Sequence, residues 1–157
     1  ITQHGFGEII ESIIELNDTN KLEEIKNTLM PLDKLMFNGK IVGVELNYMV
    51  NSITLREYLV NNKDIDLNMI KSRVLEIVYE LINHGIVPTD PHCDNFLVSF
   101  LDNGQVDIKM VDVDDQYVSV YPEKEKSIWY ESEVSAALRV IDLSFSEIEK
   151  KRNGLKK

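Results

Sequence analysis

The chain has 157 residues, 43% hydrophobic and 28% charged, which is enough for one domain with a single core. Its 17 Lys and Arg against 27 Asp and Glu give a formal charge of -10, which disfavours electrostatic binding to nucleic acid or to an anionic membrane surface. The one cysteine, Cys93, excludes an internal disulfide and a zinc site built from several thiolates, so a reducing, cytoplasmic compartment is expected. No apolar run approaches the length that spans a bilayer.

The first third of the sequence is predicted to contain two helices and a β-hairpin. Apolar residues recur with helical spacing over 7–16, where glutamates fill the opposite face. Similar spacing over 22–29 predicts a second helix, which the following proline ends. Two β-prone runs, 32–37 and 41–49, then flank Asn38-Gly39, the strongest short signal for a hairpin turn.

Two helices of different length are predicted next. A short helix over 55–60 is capped by Ser52 or Thr54 and ends at a pair of asparagines. A longer helix follows Asp66, because its apolar residues form one stripe from 70 to 82. The run Asn-His-Gly after this stripe is a typical helix C-terminus.

A polar loop over 88–95 leads from the long helix into a second predicted hairpin, with strands over 96–100 and 106–110. Beyond the hairpin, 117–122 is predicted to be extended and 127–151 to be helical. The loop has no hydrophobic period, yet it is crowded with side chains that can take part in chemistry. The candidate site therefore lies between the long helix and the second hairpin.

Three polar residues around this hairpin form the most informative pattern. Asp90 and Asn95 lie in the loop, and Asp112 follows the second strand in the run Lys-Met-Val-Asp. A carboxylate can orient or deprotonate an attacking hydroxyl, while carboxylate and amide oxygens hold Mg²⁺ against nucleotide phosphates. A hairpin rooted in the core would hold Asn95 and Asp112 in a fixed relation to each other.

This layout resembles the catalytic loop and metal-binding turn of protein-kinase-like phosphotransferases. The order of the elements over 32–114 (hairpin, connector, short helix, long helix, loop, hairpin) is also similar to that family. The run Asp-Pro-His-Cys-Asp-Asn-Phe-Leu-Val over 90–98 resembles its atypical branch. That branch includes lipopolysaccharide core sugar kinases, kinase-like proteins of ubiquinone biosynthesis and, more distantly, aminoglycoside phosphotransferases.

The resemblance implies ATP and Mg²⁺ as cofactors and assigns roles to four residues of the loop and turn. Asp90 would be the catalytic aspartate. His92 would touch the γ-phosphate or stabilise the loop. Asn95 and Asp112 would bind the magnesium ion.

The run 44–59 is similar to the hinge of the same family. By that resemblance, the backbone of Leu46, Asn47 and Met49 would hydrogen-bond adenine. The acceptor would be a hydroxyl of a sugar, of another small molecule or of a protein.

The sequence departs from the family pattern most strongly at its N-terminus. No Gly-rich loop and no lysine on a strand precede the first helix. Pro88-Thr89 replaces the usual His-Arg before Asp90, and Val113-Asp114 replaces Phe-Gly at the metal-binding turn. These departures fit a shortened chain, a chain naturally without the first strands, or an inactive relative.

We therefore expect an α+β, protein-kinase-like fold with two lobes. Residues 1–50 would form a reduced N-lobe that ends in the hinge, and residues 51–157 a mainly helical C-lobe with the catalytic hairpin. The expected function is ATP- and Mg²⁺-dependent phosphate transfer to a hydroxyl. The first alternative is a pseudokinase-like binding or regulatory module without catalysis, and the second is a structural domain with a coincidental motif. A nucleotide and the acceptor are the expected partners, with neither nucleic acid binding nor an integral membrane segment.

Overall fold

The computed structural model describes residues 11, 13–14, 25–30, 32–47, 49–111, 118–121 and 127–154. Within them the strands are β1 (Asp33–Phe37), β2 (Lys40–Glu45), β3 (Ser52–Thr54), β4 (Ile86–Pro88), β5 (Phe96–Phe100), β6 (Val106–Met110) and β7 (Val118–Val120). The helices are α1 (Leu55–Asn61), α2 (Leu67–Asn83) and α3 (Tyr130–Arg152), with a short 3-10 helix at Cys93–Asn95. The described part is thus a mixed α+β structure, as expected.

The first hairpin forms where the sequence predicts it. β1 pairs antiparallel with β2, and the turn residues Asn38 and Gly39 have positive φ angles of 49° and 73°. An asparagine-glycine pair adopts this left-handed conformation at low cost, which is why the turn forms here. The second strand is shorter than predicted, because it ends at Glu45.

The second hairpin, β5–β6, is the centre of a three-stranded antiparallel sheet whose order is β3-β5-β6. Val98 of β5 lies between Ile53 of β3 and Ile108 of β6. Val98 and Ile108 are fully buried, and the long helix α2 packs its apolar stripe in the same core. The sheet therefore anchors the loop that precedes β5.

The helix predicted over 22–29 is wrong for the residues that the structure describes, because 25–30 are not helical. This segment pairs with the outer edge of β6: the N–H of Leu29 donates to the carbonyl of Met110, and the N–H of Met110 donates to the carbonyl of Asn27. The carboxylate of Glu80 accepts the N–H groups of Lys26 and Asn27 at 2.7 and 3.0 Å. Tertiary contacts thus override the local helical spacing.

Helices α1 and α2 begin and end at the predicted side chains. The hydroxyl of Thr54 accepts the N–H of Glu57, and the carboxylate of Asp66 accepts two N–H groups in the first turn of α2. Nδ1 of His84 lies 2.8 Å from the carbonyl oxygen of Glu80 at the other end of α2. These caps satisfy backbone groups that a helix leaves without partners.

The strand β4 pairs with β7 and passes very close to it at Gly85. Gly85 has φ +76°, and an added Cβ would lie 2.3 Å from the carbonyl oxygen of Tyr121. The N–H of Tyr121 donates a 2.7 Å hydrogen bond to the carbonyl of Gly85. Only glycine fits both this backbone conformation and this approach.

The last helix, α3, closes the core against α1 and α2 through Ile141, Phe145 and Ile148. Trp129, just before the helix begins, is 65% exposed. Within the described residues, no helix combines the length and the apolar character that crossing a membrane requires.

Candidate functional site

The candidate loop leaves β4 and turns once as a 3-10 helix before it enters β5. Two hydrogen bonds converge on the carbonyl oxygen of Asp90: the N–H of His92 donates at 2.9 Å, and Nδ2 of Asn95 donates at 2.7 Å. Asn95 is only 5% exposed, while the side chain of Asp90 is 53% exposed. The Asp90 carboxylate is therefore exposed to solvent, while these two hydrogen bonds hold the backbone that carries it.

Asn95 also connects the loop to the far end of the hairpin. Its carbonyl accepts the N–H of Val111 at 2.8 Å. Val111 is the residue immediately before Asp112, the predicted magnesium ligand, which itself lies outside the described residues. Asp90, Asn95 and Val111 are thus linked by direct hydrogen bonds.

His92 stabilises the loop through its own ring. Nδ1 accepts the N–H of Asp94 at 3.2 Å. A ring that accepts at Nδ1 carries its proton on Nε2, which here lies 3.5 Å from Oδ2 of Asp90. Of the two roles predicted for His92, the loop-stabilising contact is present in the structure.

Arg56 lies at the site together with the carboxylates of Asp90, Asp94 and Glu147. Nε of Arg56 lies 3.0 Å from both carboxylate oxygens of Asp94, and Nη1 lies 3.4 Å from Oε2 of Glu147. The side chain of Arg56 is 22% exposed. It therefore bridges α1, the loop and α3 at one point.

A pocket of about 330 Å³ opens beside Asp90. Its polar walls come from α1, the loop and α3, and Val140 and Leu143 of α3 form an apolar side. The lining residues are Arg56, Asp90, His92, Asp94, Val140, Leu143, Ser144 and Glu147. The pocket has room for a small molecule or for a side chain of a peptide, either of which could bring a hydroxyl to Asp90.

Beneath the pocket, Cys93 joins the loop to α3. Its N–H donates to the hydroxyl of Ser144 at 2.9 Å, and both residues are buried. Burial raises the pKa of the Cys93 thiol from 9.0 to about 11, although the hydrogen bond with Ser144 opposes this shift. The thiol is therefore neutral at physiological pH and acts as a small apolar side chain.

The predicted adenine-binding segment lies directly after β2. Leu46 and Asn47 are exposed, whereas Met49 is buried and its carbonyl accepts the hydroxyl of Ser52 at 3.2 Å. Ser52 begins β3, which pairs with β5 through Ser52 and Ser99. The segment is thus tied to the strand that follows Asn95.

The first described helical residue, Glu11, forms an ion pair with Lys34 of β1, with 2.7 Å between Oε1 and Nζ. The side chains of Lys34 and Glu11 are 36% and 53% exposed, so water screens the pair and it adds little stability. Lys34 lies on a strand that follows this helical residue in the chain.

The structure brings Asp90, His92 and Asn95 together in one loop and keeps Leu46, Asn47 and Met49 on a separate segment. Across the residues that the structure describes, no group of three or more His, Cys, Asp or Glu side chains forms a metal-binding cluster. Besides the apolar Val140 and Leu143, sequence reasoning missed four polar residues of the pocket, and only Asp94, next to Asn95, carried a local signal. The missed polar residues are Arg56, Asp94, Ser144 and Glu147.

Comparison with known proteins assigns no family to the chain: no protein-family model matches it, and no curated protein matches it either.

Proposed function

We propose that the chain is an ATP- and Mg²⁺-dependent phosphotransferase with a two-lobed, protein-kinase-like fold. The observation that carries the proposal is the hydrogen bond from Nδ2 of Asn95 to the carbonyl of Asp90, combined with the bond from Val111 to Asn95. Together they hold the backbone of Asp90, the side-chain amide of Asn95 and the residue before Asp112 in one hydrogen-bonded unit. Phosphoryl transfer depends mainly on such positioning.

Asn95 is well suited to hold a hard cation. Its Nδ2 is committed to the carbonyl of Asp90, so Oδ1 is the atom that remains for a ligand. Amide and carboxylate oxygens are the ligands that Mg²⁺ prefers. Asn95 and Asp112 would therefore hold the ion, whose chemistry is to neutralise charge on the phosphates.

Asp90 is placed to act on the acceptor. Its carboxylate is exposed and faces the pocket, where it can accept a proton from an incoming hydroxyl. Nε2–H of His92 points towards the same carboxylate and helps to hold its orientation. The backbone of Leu46, Asn47 and Met49 would bind adenine. Pairing of β3 with β5 would hold this segment at a fixed distance from the loop.

Calorimetric titration with Mg-ATP tests the nucleotide and metal parts of the proposal. The full chain should bind Mg-ATP, and Asp112→Ala should bind it at least about tenfold more weakly. Glu149→Gln is the matched control, because this exposed acid on α3 does not line the pocket. Absence of binding to the parent chain would reject the nucleotide role, and equal binding by Asp112→Ala would reject the metal site.

Turnover tests the chemical part. Release of ADP by the parent chain should fall by about 10³-fold or more in Asp90→Asn, while Mg-ATP binding is retained. Binding of Mg-ATP without any turnover by the parent chain would instead support the binding-module alternative.

A further inference from the structure

We propose that Arg56 is a positioning residue of this site: it fixes the loop that carries Asp90 by bridging Asp94 and Glu147. The inference rests on the proposed function and adds to it a residue that lies outside the pattern of Asp90, Asn95 and Asp112. It assigns to α1 the task of holding the loop in its working geometry.

Arg56 is held by its place in α1 and by its contacts with two carboxylates. Arg56 lies in the first turn of α1, two residues after Thr54, whose hydroxyl caps the helix. Its Nε is 3.0 Å from both oxygens of Asp94, and Nη1 is 3.4 Å from Glu147 on α3. A planar guanidinium that serves two carboxylates fixes direction as well as distance.

The bridge reaches Asp90 through consecutive hydrogen bonds of the loop. Asp94 donates its N–H to Nδ1 of His92, and His92 donates its own N–H to the carbonyl of Asp90. The adjacent residue, Asn95, donates to the same carbonyl. A shift of Asp94 would therefore move the donors that hold Asp90.

The positive charge of Arg56 also contributes to holding the loop. Among the described residues that line the pocket, Asp90, Asp94 and Glu147 are acidic, and Arg56 is the one lysine or arginine. Without its charge, three carboxylates would face a pocket that no other lysine or arginine of the described residues lines. Mutual repulsion would then push Asp94 away from its present position.

The experiment compares Arg56→Gln, Arg56→Lys and Arg139→Gln on the full chain. Arg139 is exposed on α3 and does not line the pocket, so its replacement removes the same charge without touching the bridge. We expect Arg56→Gln to lower kcat for Mg-ATP turnover by about 10- to 100-fold, because a misplacement of about 1 Å can cost that much. KM for ATP should stay within about twofold, and Arg56→Lys should restore only part of kcat.

Amide hydrogen exchange provides a readout that does not need turnover. In Arg56→Gln the amides of 92–95 should exchange at least about tenfold faster, with no such change in Arg139→Gln. Adding Asp94→Asn to Arg56→Gln should cause little further loss, because both changes break the same contact.

The results that would overturn the proposal are separate from those that would reject the proposed function. Unchanged exchange at 92–95 in Arg56→Gln, or a raised KM with unchanged kcat, would show that Arg56 does not position the loop. A parent chain that turns over no ATP would reject the phosphotransferase function, and exchange alone would then decide whether Arg56 holds the loop.

Discussion

The amide nitrogen of Asn95 donates a 2.7 Å hydrogen bond to the backbone carbonyl of Asp90, five residues earlier. The same asparagine accepts the N–H of Val111 from the far side of the β5–β6 hairpin. One buried residue thus ties together both ends of the candidate site. Because its contacts are internal, its effect on stability can be measured without any substrate.

Asn95→Ala should destabilise the fold by about 1–3 kcal/mol, because it leaves the carbonyl of Asp90 without its side-chain donor. Urea unfolding measures this loss of free energy. Asn68→Ala is the matched control, because Asn68 is exposed in the first turn of α2 and should change stability by no more than about 0.5 kcal/mol. Equal stability of the two variants would mean that the Asn95 amide does not support the loop.

Gly85→Ala should be more destabilising than Gly104→Ala. Both glycines have positive φ, which costs alanine about 1–2 kcal/mol, but only the Cβ at Gly85 meets a backbone atom, 2.3 Å from the carbonyl oxygen of Tyr121. The difference between the two variants isolates the close approach of β4 to β7. Thermal unfolding should show a clearly lower Tm for Gly85→Ala, and similar Tm values would contradict the pairing at this point.

The chain should lose stability in alkali through Cys93. The pKa of its thiol is raised by burial from 9.0 to about 11, so the unfolded chain releases this proton at a lower pH than the folded chain does. The contribution of Cys93 is therefore complete below pH 9.0 and falls by about 1.4 kcal/mol per pH unit as the pH rises towards 11. Cys93→Ala should unfold with a shallower pH dependence across this window, whatever its stability at neutral pH.

A second consequence of the same burial concerns reactivity. The thiolate is the reactive form, so alkylation of native Cys93 should be slow at neutral pH. Denatured chain serves as the control, because its thiol titrates near 9.0 and is accessible. Rapid labelling of the native protein at neutral pH would place the thiol in solvent and contradict the contact with Ser144.

Arg152→Gln should destabilise the junction between α1 and α2. The guanidinium of Arg152 donates to four carbonyls there, with donor–acceptor distances from 2.7 to 3.4 Å, on Leu59, Asn62, Lys63 and Ile65. We expect a loss of about 2 kcal/mol in the free energy of unfolding, because charge-assisted hydrogen bonds are stronger than neutral ones. Lys151→Gln, an exposed change one residue away, should have little effect, and an equal loss in both variants would count against the four contacts.

Local signals in the sequence were sufficient for the elements whose ends are defined by neighbouring residues. Asn38-Gly39 predicts the first hairpin because its left-handed turn depends on two adjacent residues. Asp66 and the apolar stripe behind it predict α2 because cap and stripe lie within one helix. The second hairpin and the last helix follow from the same kind of local pattern.

The sequence could not show contacts between distant segments. β3 and β4 have three residues each and exist only because they pair with β5 and β7. Residues 25–30 have helical spacing but take their hydrogen bonds from Glu80 and the edge of β6. Arg56 lies 38 residues from Asp94 and 91 from Glu147, so no local motif predicts that these side chains meet.

The contacts of Arg152 also bear on how the chain folds. Its four carbonyl acceptors lie 87 to 93 residues earlier in the sequence. During synthesis, the junction between α1 and α2 must therefore wait for the end of α3 before it acquires these partners. Closing so long a loop is slow compared with forming a helix or hairpin, so docking of α3 is expected to be a late step in folding.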